Sequence, residues 1–290
     1  MKILTVIGAR PQFIKAAPLR LLIKEDFSSS INEVVIHTGQ HFDQNMSNVF
    51  FEEMEIPTPK YNLGINSMNH GVMTGKMIEE IEKIILFENP KFVLVFGDTN
   101  SSLAGSIAAK KLQISLIHVE AGLRSYNMNM PEEINRVLTD RISDVLFCPS
   151  TQALKNLRAE GFDHFGCKIH NVGDVMLDNA LYYEKYADKK SSILKKINIT
   201  ANKYYLCTIH REENIENKTT FSEIIHGLNE LSKQFKIVLP IHPRTQKKLL
   251  LFKTNKNIKI IQPVGYLNMI QLIKNARLII TDSGGLQKES

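Results

Sequence analysis

Short apolar runs alternate along the chain with segments in which apolar residues recur every three to four positions. The first pattern is typical of strands buried on both faces, and the second of amphipathic helices. Helices are predicted at residues 10–25, 73–87 and 132–143, with Pro11 and Pro131 at their starts. The predicted strands lie at residues 3–7, 33–37, 92–96, 115–119, 145–148 and 168–172. This alternation predicts an α/β fold with a parallel sheet covered by helices on both faces.

A second series of strands follows a stretch rich in Lys, Ser and Asn at residues 188–203. These strands are predicted at residues 204–209, 237–241, 258–261 and 278–281. We therefore predict two doubly wound domains, at residues 1–175 and 176–290, with a hinge within 173–203. In such sheets, ligands bind at the carboxyl ends of the strands.

The composition is that of a soluble enzyme or binding protein. The chain has 290 residues, of which 43% are hydrophobic and 23% charged. Its apolar runs are too short to span a membrane, and the amino terminus lacks a signal peptide, so we expect a cytoplasmic protein. The three cysteines have no metal-ligand spacing, which favours reduced thiols over a metal site or disulfide.

Charge is distributed unevenly between the two halves of the chain. Residues 1–180 contain 17 Lys and Arg against 21 Asp and Glu, a net charge of −4, whereas residues 181–290 contain 19 against 9, a net charge of +10. A basic half can bind nucleic acid or a phosphorylated ligand. Because these lysines lack interleaved aromatic residues, we interpret them as solvated surface and expect no nucleic-acid partner.

Polar residues cluster where the predicted strands end. Because strand ends of a parallel sheet share one edge, we expect these side chains to meet in a cleft. Carboxylates, histidines and cations dominate the set: Arg10, Lys15, Gln40, His41, Asp98, Glu120, Glu132, His210 and His242.

Several of these residues also have structural explanations. Asp98 could cap the helix that begins near Thr99, and Glu132 could be a first-turn acid that the helix dipole favours. Lys15 could extend from a helix face to solvent. Glu120 is harder to explain structurally, because a carboxylate directly after a buried strand is costly unless it is paired.

A Ser-Gly-Gly turn follows the last predicted strand. Glycines let backbone N–H groups approach oxygen atoms closely, and a helix start adds unpaired donors, so Ser283, Gly284 and Gly285 are typical of a phosphate-binding turn. An ordinary strand-to-helix turn is the alternative. Together with the carboxylates, this turn indicates a phosphorylated substrate that undergoes proton transfer. The sequence lacks a Walker A motif, a dinucleotide-binding glycine fingerprint and a Gly-x-Ser-x-Gly elbow.

Seven motifs resemble those of the non-hydrolysing UDP-N-acetylglucosamine 2-epimerases. They span almost the whole chain in the order of that family. The matching segments are Gly8-Ala9-Arg10-Pro11-Gln12-Phe13-Ile14-Lys15, Thr38-Gly39-Gln40-His41, Phe96-Gly97-Asp98-Thr99, His118-Val119-Glu120-Ala121-Gly122-Leu123-Arg124, Pro131-Glu132-Glu133-Ile134-Asn135-Arg136, Thr208-Ile209-His210-Arg211-Glu212-Glu213-Asn214 and Thr281-Asp282-Ser283-Gly284-Gly285-Leu286-Gln287.

The resemblance implies two Rossmann-like domains, as in B-type glycosyltransferases, and epimerisation of UDP-N-acetylglucosamine to UDP-N-acetylmannosamine, or of a close UDP-2-acetamido sugar. The implied route is anti elimination of UDP to 2-acetamidoglucal, followed by re-addition, with no cofactor or metal. The implied catalytic residues are Asp98, Glu120, Glu132, His210 and Lys15. The implied substrate- and UDP-binding residues are Arg10, Gln40, His41, Arg136, His210, His242, Ser283, Gly284, Gly285 and, at the ribose, Glu289.

The same resemblance leads us to expect a homodimer and an incomplete second domain, because members of the family continue beyond the Ser-Gly-Gly turn. Two alternatives stay open at this point. One is a non-catalytic remnant that binds UDP, and the other is a nucleotide-sugar glycosyltransferase of the same fold.

Overall fold

A computed structural model of the chain describes residues 1–40, 58–209, 211–241 and 243–289, without the side chains of Arg10, Glu212, Pro243 and Arg244. The chain divides into two compact units, Met1–Asn179 and Ala180–Ser290. Each unit is built on its own parallel sheet.

The first unit contains a seven-stranded sheet in the order β3-β2-β1-β4-β5-β6-β7, in which every neighbouring pair is parallel. Six of these strands were predicted from the sequence, and the parallel arrangement is confirmed. The strands are β1 (Lys2–Ile7), β2 (Asn32–His37), β3 (Tyr61–Asn62), β4 (Phe92–Phe96), β5 (Ser115–Val119), β6 (Val145–Cys148) and β7 (Lys168–Asn171). Strand β3 was not predicted, because two residues are too few for a periodic pattern.

Helices connect the strands of the first unit. In chain order they are α1 (Arg10–Asp26), α2 (His70–Glu88), α3 (Asn100–Lys111), α4 (Pro131–Ile142), α5 (Thr151–Ala159), a short 3₁₀ helix (Phe162–His164) and α6 (Val175–Lys190), which crosses into the second unit. The predicted helices at residues 10–25, 73–87 and 132–143 correspond to α1, α2 and α4.

Helix α2 shows how the apolar rhythm becomes a packed core. Met73, Met77, Ile81 and Ile85 recur every fourth residue, so they share one face, and all four are buried. They join a cluster that includes residues of β1, β2, β4 and β5. Burying each such side chain contributes about 1.5–3 kcal/mol to folding, so this stripe holds α2 against the sheet.

The second unit contains a four-stranded parallel sheet in the order β10-β9-β8-β11. Its strands are β8 (Tyr204–Thr208), β9 (Lys236–Pro240), β10 (Ile258–Ile261) and β11 (Leu278–Thr281). All four lie within one residue of their predicted bounds. The helices are α7 (Ile193–Lys196), α8 (Glu212–Glu216), α9 (Lys218–Ser232), α10 (Pro243–Leu249), α11 (Tyr266–Lys274) and α12 (Gly284–Glu289).

Within the described ranges, every helix is too short or too polar to cross a lipid bilayer.

Glu88, at the end of α2, is a buried carboxylate with three donors. Its oxygens accept hydrogen bonds from the ammonium of Lys60 (2.6 Å), the hydroxyl of Tyr61 (2.6 Å) and the ammonium of Lys2 (3.0 Å). Led by Lys60, these donors lower the pKa of Glu88 from 4.5 to about 2. The carboxylate therefore ties α2 to β1 and β3.

Because the folded-state pKa of Glu88 is depressed, its contribution to stability is present above about pH 5 and is lost as the pH falls toward 2. We expect Glu88→Gln to lower the free energy of unfolding at pH 7, and we expect its difference from the wild type to shrink between pH 5 and pH 3. Urea unfolding followed by circular dichroism measures both. Glu79→Gln, at an exposed position on the same helix, should change little at any of these pH values. A Glu88→Gln effect that does not vary with pH would contradict the ionised network.

Candidate active site

The turn between β1 and α1 is held by the side chain of Gln12. Its amide oxygen accepts hydrogen bonds from the N–H groups of Gly8 (2.8 Å) and Ala9 (3.0 Å). Its amide nitrogen donates to the carbonyl oxygen of Phe96 (2.8 Å) and to Ser102 Oγ (2.9 Å). Because Gln12 is buried, it fixes this turn against the carboxyl end of β4.

Gln40 lies against the start of α3. Its side-chain oxygen accepts hydrogen bonds from the N–H (3.0 Å) and the hydroxyl (2.7 Å) of Ser101, and that hydroxyl also lies 2.8 Å from Thr38 Oγ1. Gly8 faces the same two hydroxyls, and a Cβ atom there would come within 2.0 Å of Thr38 and 2.2 Å of Ser101. The ends of β1 and β2 are thereby packed against α3 without room for a side chain at Gly8.

Glu120 directly follows β5 and has a φ of +71°, a left-handed conformation that is uncommon for residues with a Cβ atom. Its carboxylate forms an ion pair with the ammonium of Lys15 from α1, and the two side chains are 8% and 12% exposed. Gly97 contacts this pair closely, since a Cβ atom there would lie 3.2 Å from both Glu120 Oε2 and Lys15 Nζ. The alternative in which Lys15 extends to solvent is wrong, because its ammonium ends on a buried carboxylate.

Asp98 follows β4, next to β5, and the two strand ends are joined by a hydrogen bond from Gly97 N–H to the Val119 carbonyl (2.9 Å). The Asp98 carboxylate pairs with the guanidinium of Arg136 from α4. The cap of α3 is Thr99, whose hydroxyl accepts a hydrogen bond from Ser102 N–H (3.2 Å). The capping explanation of Asp98 is therefore wrong, and its carboxylate lies beside Arg136 instead.

Glu132 and Glu133 occupy different environments at the start of α4. Glu132 is exposed in the first helical turn. Glu133 is buried, accepts hydrogen bonds from the N–H groups of Ser125 and Tyr126 (3.0 Å each), and pairs with Arg136. Burial acts to raise the pKa of Glu133, but these hydrogen bonds and the charge of Arg136 lower it overall. Sequence reasoning missed Glu133, and its i, i+3 spacing to Arg136 was the available signal.

In the second unit, Asp282 ties the end of β11 to the segment after β8. Its carboxylate accepts hydrogen bonds from the N–H of Arg211 (3.0 Å) and the amide of Asn214 (2.9 Å), and its carbonyl accepts one from Arg211 Nε (2.9 Å). The Thr208 and Thr281 hydroxyls, at the ends of the same two strands, are 2.7 Å apart. The two residues directly before the Ser-Gly-Gly turn are therefore anchored to the end of β8 and to the segment after it.

The Ser-Gly-Gly turn opens α12. Ser283 N–H donates to Thr281 Oγ1 (3.0 Å), and Ser283 Oγ accepts a hydrogen bond from Leu286 N–H (3.4 Å). A Cβ atom at Gly284 would meet no heavy atom of the described chain within 4 Å. The described packing therefore leaves space beside this glycine. Farther along α12, Glu289 accepts a hydrogen bond from the hydroxyl of Tyr266 (3.1 Å), a residue that is itself buried.

Four of the predicted site residues fall wholly or partly outside this description. His41, His210 and His242 lie outside the described residues, and the side chain of Arg10 is not described.

A comparison with known protein families shows the family of the chain. A model of the UDP-N-acetylglucosamine 2-epimerase family matches residues 25–290. The chain belongs to this family. The resemblance inferred from the seven motifs is thereby confirmed, and the glycosyltransferase alternative is set aside.

Curated relatives of the chain are epimerases of this family. It is 52% identical to a UDP-N-acetylglucosamine 2-epimerase homolog of Methanococcus maripaludis over its whole length and 81% of the relative. It is 49% identical to the UDP-2,3-diacetamido-2,3-dideoxy-D-glucuronate 2-epimerase of Pseudomonas aeruginosa, of which it covers 80%.

A solved structure supports the same assignment. The Methanocaldococcus jannaschii UDP-GlcNAc 2-epimerase in complex with UDP-GlcNAc and UDP is 47% identical, with a TM-score of 0.87 over the whole chain and 81% of that structure. The expected α/β class, with parallel sheets of the kind found in B-type glycosyltransferases, is confirmed.

Gly97 allows the Glu120–Lys15 pair to be tested by substitution. Gly97 and Gly64 both have a φ of +62°, but a Cβ atom meets the Glu120–Lys15 pair at Gly97 and open space at Gly64. We expect Gly97→Ala and Gly64→Ala each to lower stability by about 1–2 kcal/mol, the cost of a left-handed alanine. Only Gly97→Ala should also lower the epimerisation rate, because it displaces the ion pair. Urea unfolding and rate assays on both variants measure this, and equal rates in the two would show that the pair has no part in turnover.

Proposed function

We propose that the chain inverts the C2 configuration of a UDP-2-acetamido sugar by eliminating and re-adding UDP. A base removes the C2 proton while the C1–O bond breaks, so UDP leaves and 2-acetamidoglucal forms. UDP oxygen then adds back to C1, and a proton returns to C2 from the opposite face. Atoms balance without an external reactant.

The observation that supports this reaction most strongly is the pair of carboxylates at the ends of β4 and β5. Glu120 and Asp98 each lie beside a cation, Lys15 and Arg136 respectively, on neighbouring strands. A C2 proton is weakly acidic, so its removal needs a positioned base, and its return needs a positioned acid. We assign Glu120 and Asp98 to these proton transfers.

Lys15 has a clear part in this assignment. Its ammonium pairs with the buried carboxylate of Glu120 and holds that carboxylate in place. When Glu120 takes up the C2 proton, Lys15 becomes free to stabilise negative charge that develops on the substrate. Glu132 and His210 complete the proposed catalytic set by family resemblance, and Glu132 is exposed, as a residue that meets a substrate must be.

The diphosphate of UDP is assigned to the Ser-Gly-Gly turn. Space beside Gly284 and the anchoring of the turn through Thr281 support a preorganised anion site there. We propose that Ser283, Gly284 and Gly285 bind the diphosphate and that Glu289, held by Tyr266, accepts the ribose hydroxyls. Arg10, Gln40, His41, Arg136 and His242 are the further proposed substrate contacts. The homodimer and the cytoplasmic location stay predictions.

Two UDP sugars are candidate substrates, because relatives of the chain are named for them. UDP-N-acetylglucosamine and UDP-2,3-diacetamido-2,3-dideoxy-D-glucuronate share UDP and a C2 acetamido group, and the relatives named for them are similarly related to this chain. Incubating the protein with each sugar and following C2 epimers by NMR tests the proposal. We expect epimerisation of at least one. UDP binding without an epimer from either sugar would contradict the proposal and support the UDP-binding alternative.

A further inference from the structure

Asp140, on α4, is a fully buried carboxylate that contacts β5 and the turn that follows it. One oxygen lies 2.7 Å from His118 Nδ1, and the other accepts hydrogen bonds from Gly122 N–H (3.0 Å) and from Arg124 (2.6 Å). Neither Asp140 nor His118 is exposed to solvent. Both oxygens are thus used in contacts with the segment of β5 and the turn that follows it.

His118 extends this network to the neighbouring strand. It lies on β5, and its Nε2 is 2.9 Å from the carbonyl oxygen of Gly97, the residue before Asp98. A carboxylate and a carbonyl can only accept hydrogen bonds, so each ring nitrogen must donate. The geometry therefore places Nδ1 to donate to Asp140 and Nε2 to donate to the Gly97 carbonyl.

The charged groups of the network are paired. The negative charge of Asp140 faces His118 and Arg124, and Arg124 also pairs with Glu160 (2.6 Å). Burial acts to raise the pKa of Asp140, but His118 and Arg124 outweigh it, and the pKa is lowered. The two carboxylates are thus each paired, Asp140 with Arg124 and the His118 ring and Glu160 with Arg124, as burial of charges demands.

Both turns attached to this network contain residues in the left-handed conformation. Gly97, Glu120 and Gly122 all have positive φ values, of +62°, +71° and +78°. Glycine adopts this conformation readily, whereas Glu120 keeps it only where surrounding contacts hold the turn. The turn with Asp98 is held through the Gly97 carbonyl, and the turn with Glu120 through the Gly122 N–H, and both contacts lead to Asp140.

We propose that Asp140 and His118 are positioning residues, which act as one buried pair to fix the two turns that bear Asp98 and Glu120 relative to each other. The proposal rests on the proposed function for its catalytic consequence, because Asp98 and Glu120 are the proton-transfer groups there. His118 acts through the Gly97 carbonyl and Asp140 through Gly122, so neither touches the substrate.

Asp140→Asn is the informative substitution, because it keeps the shape of the side chain. The amide oxygen still accepts from Gly122 and Arg124, but the amide nitrogen now faces His118 and donates to it, so the ring loses its Nδ1 proton. Asp144→Asn is the matched control. That carboxylate lies at the opposite, amino end of β5, where it accepts hydrogen bonds from Leu116 N–H (2.7 Å) and Lys110 (2.8 Å).

The experiment combines NMR with kinetics on the full chain. In the wild type we expect two protonated ring nitrogens on His118. In Asp140→Asn we expect one, together with altered backbone amide shifts at both Gly97–Asp98 and Glu120–Gly122, whereas Asp144→Asn leaves both turns unchanged. We expect kcat to fall by about 10²-fold in Asp140→Asn, the effect of a small misplacement of reacting groups, with UDP affinity retained.

Three results would overturn the proposal: a single ring proton in the wild type, amide shifts confined to one turn, or a kcat for Asp140→Asn equal to that of Asp144→Asn. The first measurement needs only the wild type, so a variant that does not fold leaves the proposal open to refutation. If the wild type epimerises no UDP sugar, the proposed function fails, and the ring protons and amide shifts still decide whether the pair holds both turns.

Discussion

Glu120→Gln should lower the rate of C2 proton exchange by about 10²–10⁴-fold, the usual contribution of a general acid or base, while UDP affinity stays close to that of the wild type. The amide keeps the shape of the side chain and can still accept a hydrogen bond from Lys15, but it cannot take up a proton. Exchange at C2, followed by NMR, and UDP binding, followed by calorimetry, separate the two effects.

Glu79→Gln is the control for Glu120→Gln, because that side chain is 65% exposed on α2 and pairs with Lys83. It should leave both exchange and UDP binding unchanged. Unfolding curves of the two variants show whether the lost ion pair with Lys15 also lowers stability. Near-normal exchange in Glu120→Gln would show that Glu120 takes no part in proton transfer and that its ion pair with Lys15 is structural.

Asp98→Asn should also suppress epimerisation by about 10²–10⁴-fold, because proton return needs a second ionisable group. Its effect on stability should be small, since Thr99 caps α3 and Asp98 is 31% exposed. Turnover and urea unfolding measured on the same preparation distinguish a catalytic from a structural role.

The matched control for Asp98→Asn is Asp26→Asn, at the exposed end of α1. It makes the same chemical change away from the candidate site and should leave the rate unchanged. A large loss of stability in Asp98→Asn, with the rate per folded molecule retained, would contradict the assignment.

All the strands except β3 were predictable, most of them because they are short apolar runs in a parallel sheet, where burial on both faces leaves a continuous signal. Glu120 was predictable for the complementary reason, since a carboxylate directly after such a run needs a partner. The identity of that partner was not, because Lys15 is 105 residues away and only the fold brings the two together.

Neighbouring residues with the same chemistry were the hardest to tell apart. Asp98 and Thr99 are both good helix caps, and only the backbone position selects Thr99. Glu132 and Glu133 point in directions about 100° apart on α4, so one is exposed and the other is buried against the loop at Ser125. Which of the two is buried depends on which face of α4 packs against this loop. The loop has no periodic pattern from which that face could be predicted.

The buried polar contacts of the site also could not be predicted from the sequence. The contacts of His118 had no signal in the sequence, because its two acceptors come from α4 and from Gly97, the residue after β4. Gln12 gave no signal either, although its amide makes four hydrogen bonds that join two strand ends. Long-range hydrogen bonds of this kind follow from topology, which places distant residues at one sheet edge.

Isotope exchange tests the central claim, elimination of UDP through loss of the C2 proton, most directly. The protein is incubated in heavy water with the UDP-2-acetamido sugar that it epimerises, and the sugars are analysed by NMR and mass spectrometry. Removal of the C2 proton to a solvent-exchanging carboxylate predicts one deuterium at C2 in the epimer, and the same label in substrate re-formed by the reverse reaction. An epimer that retains its original hydrogen at C2 would contradict the mechanism.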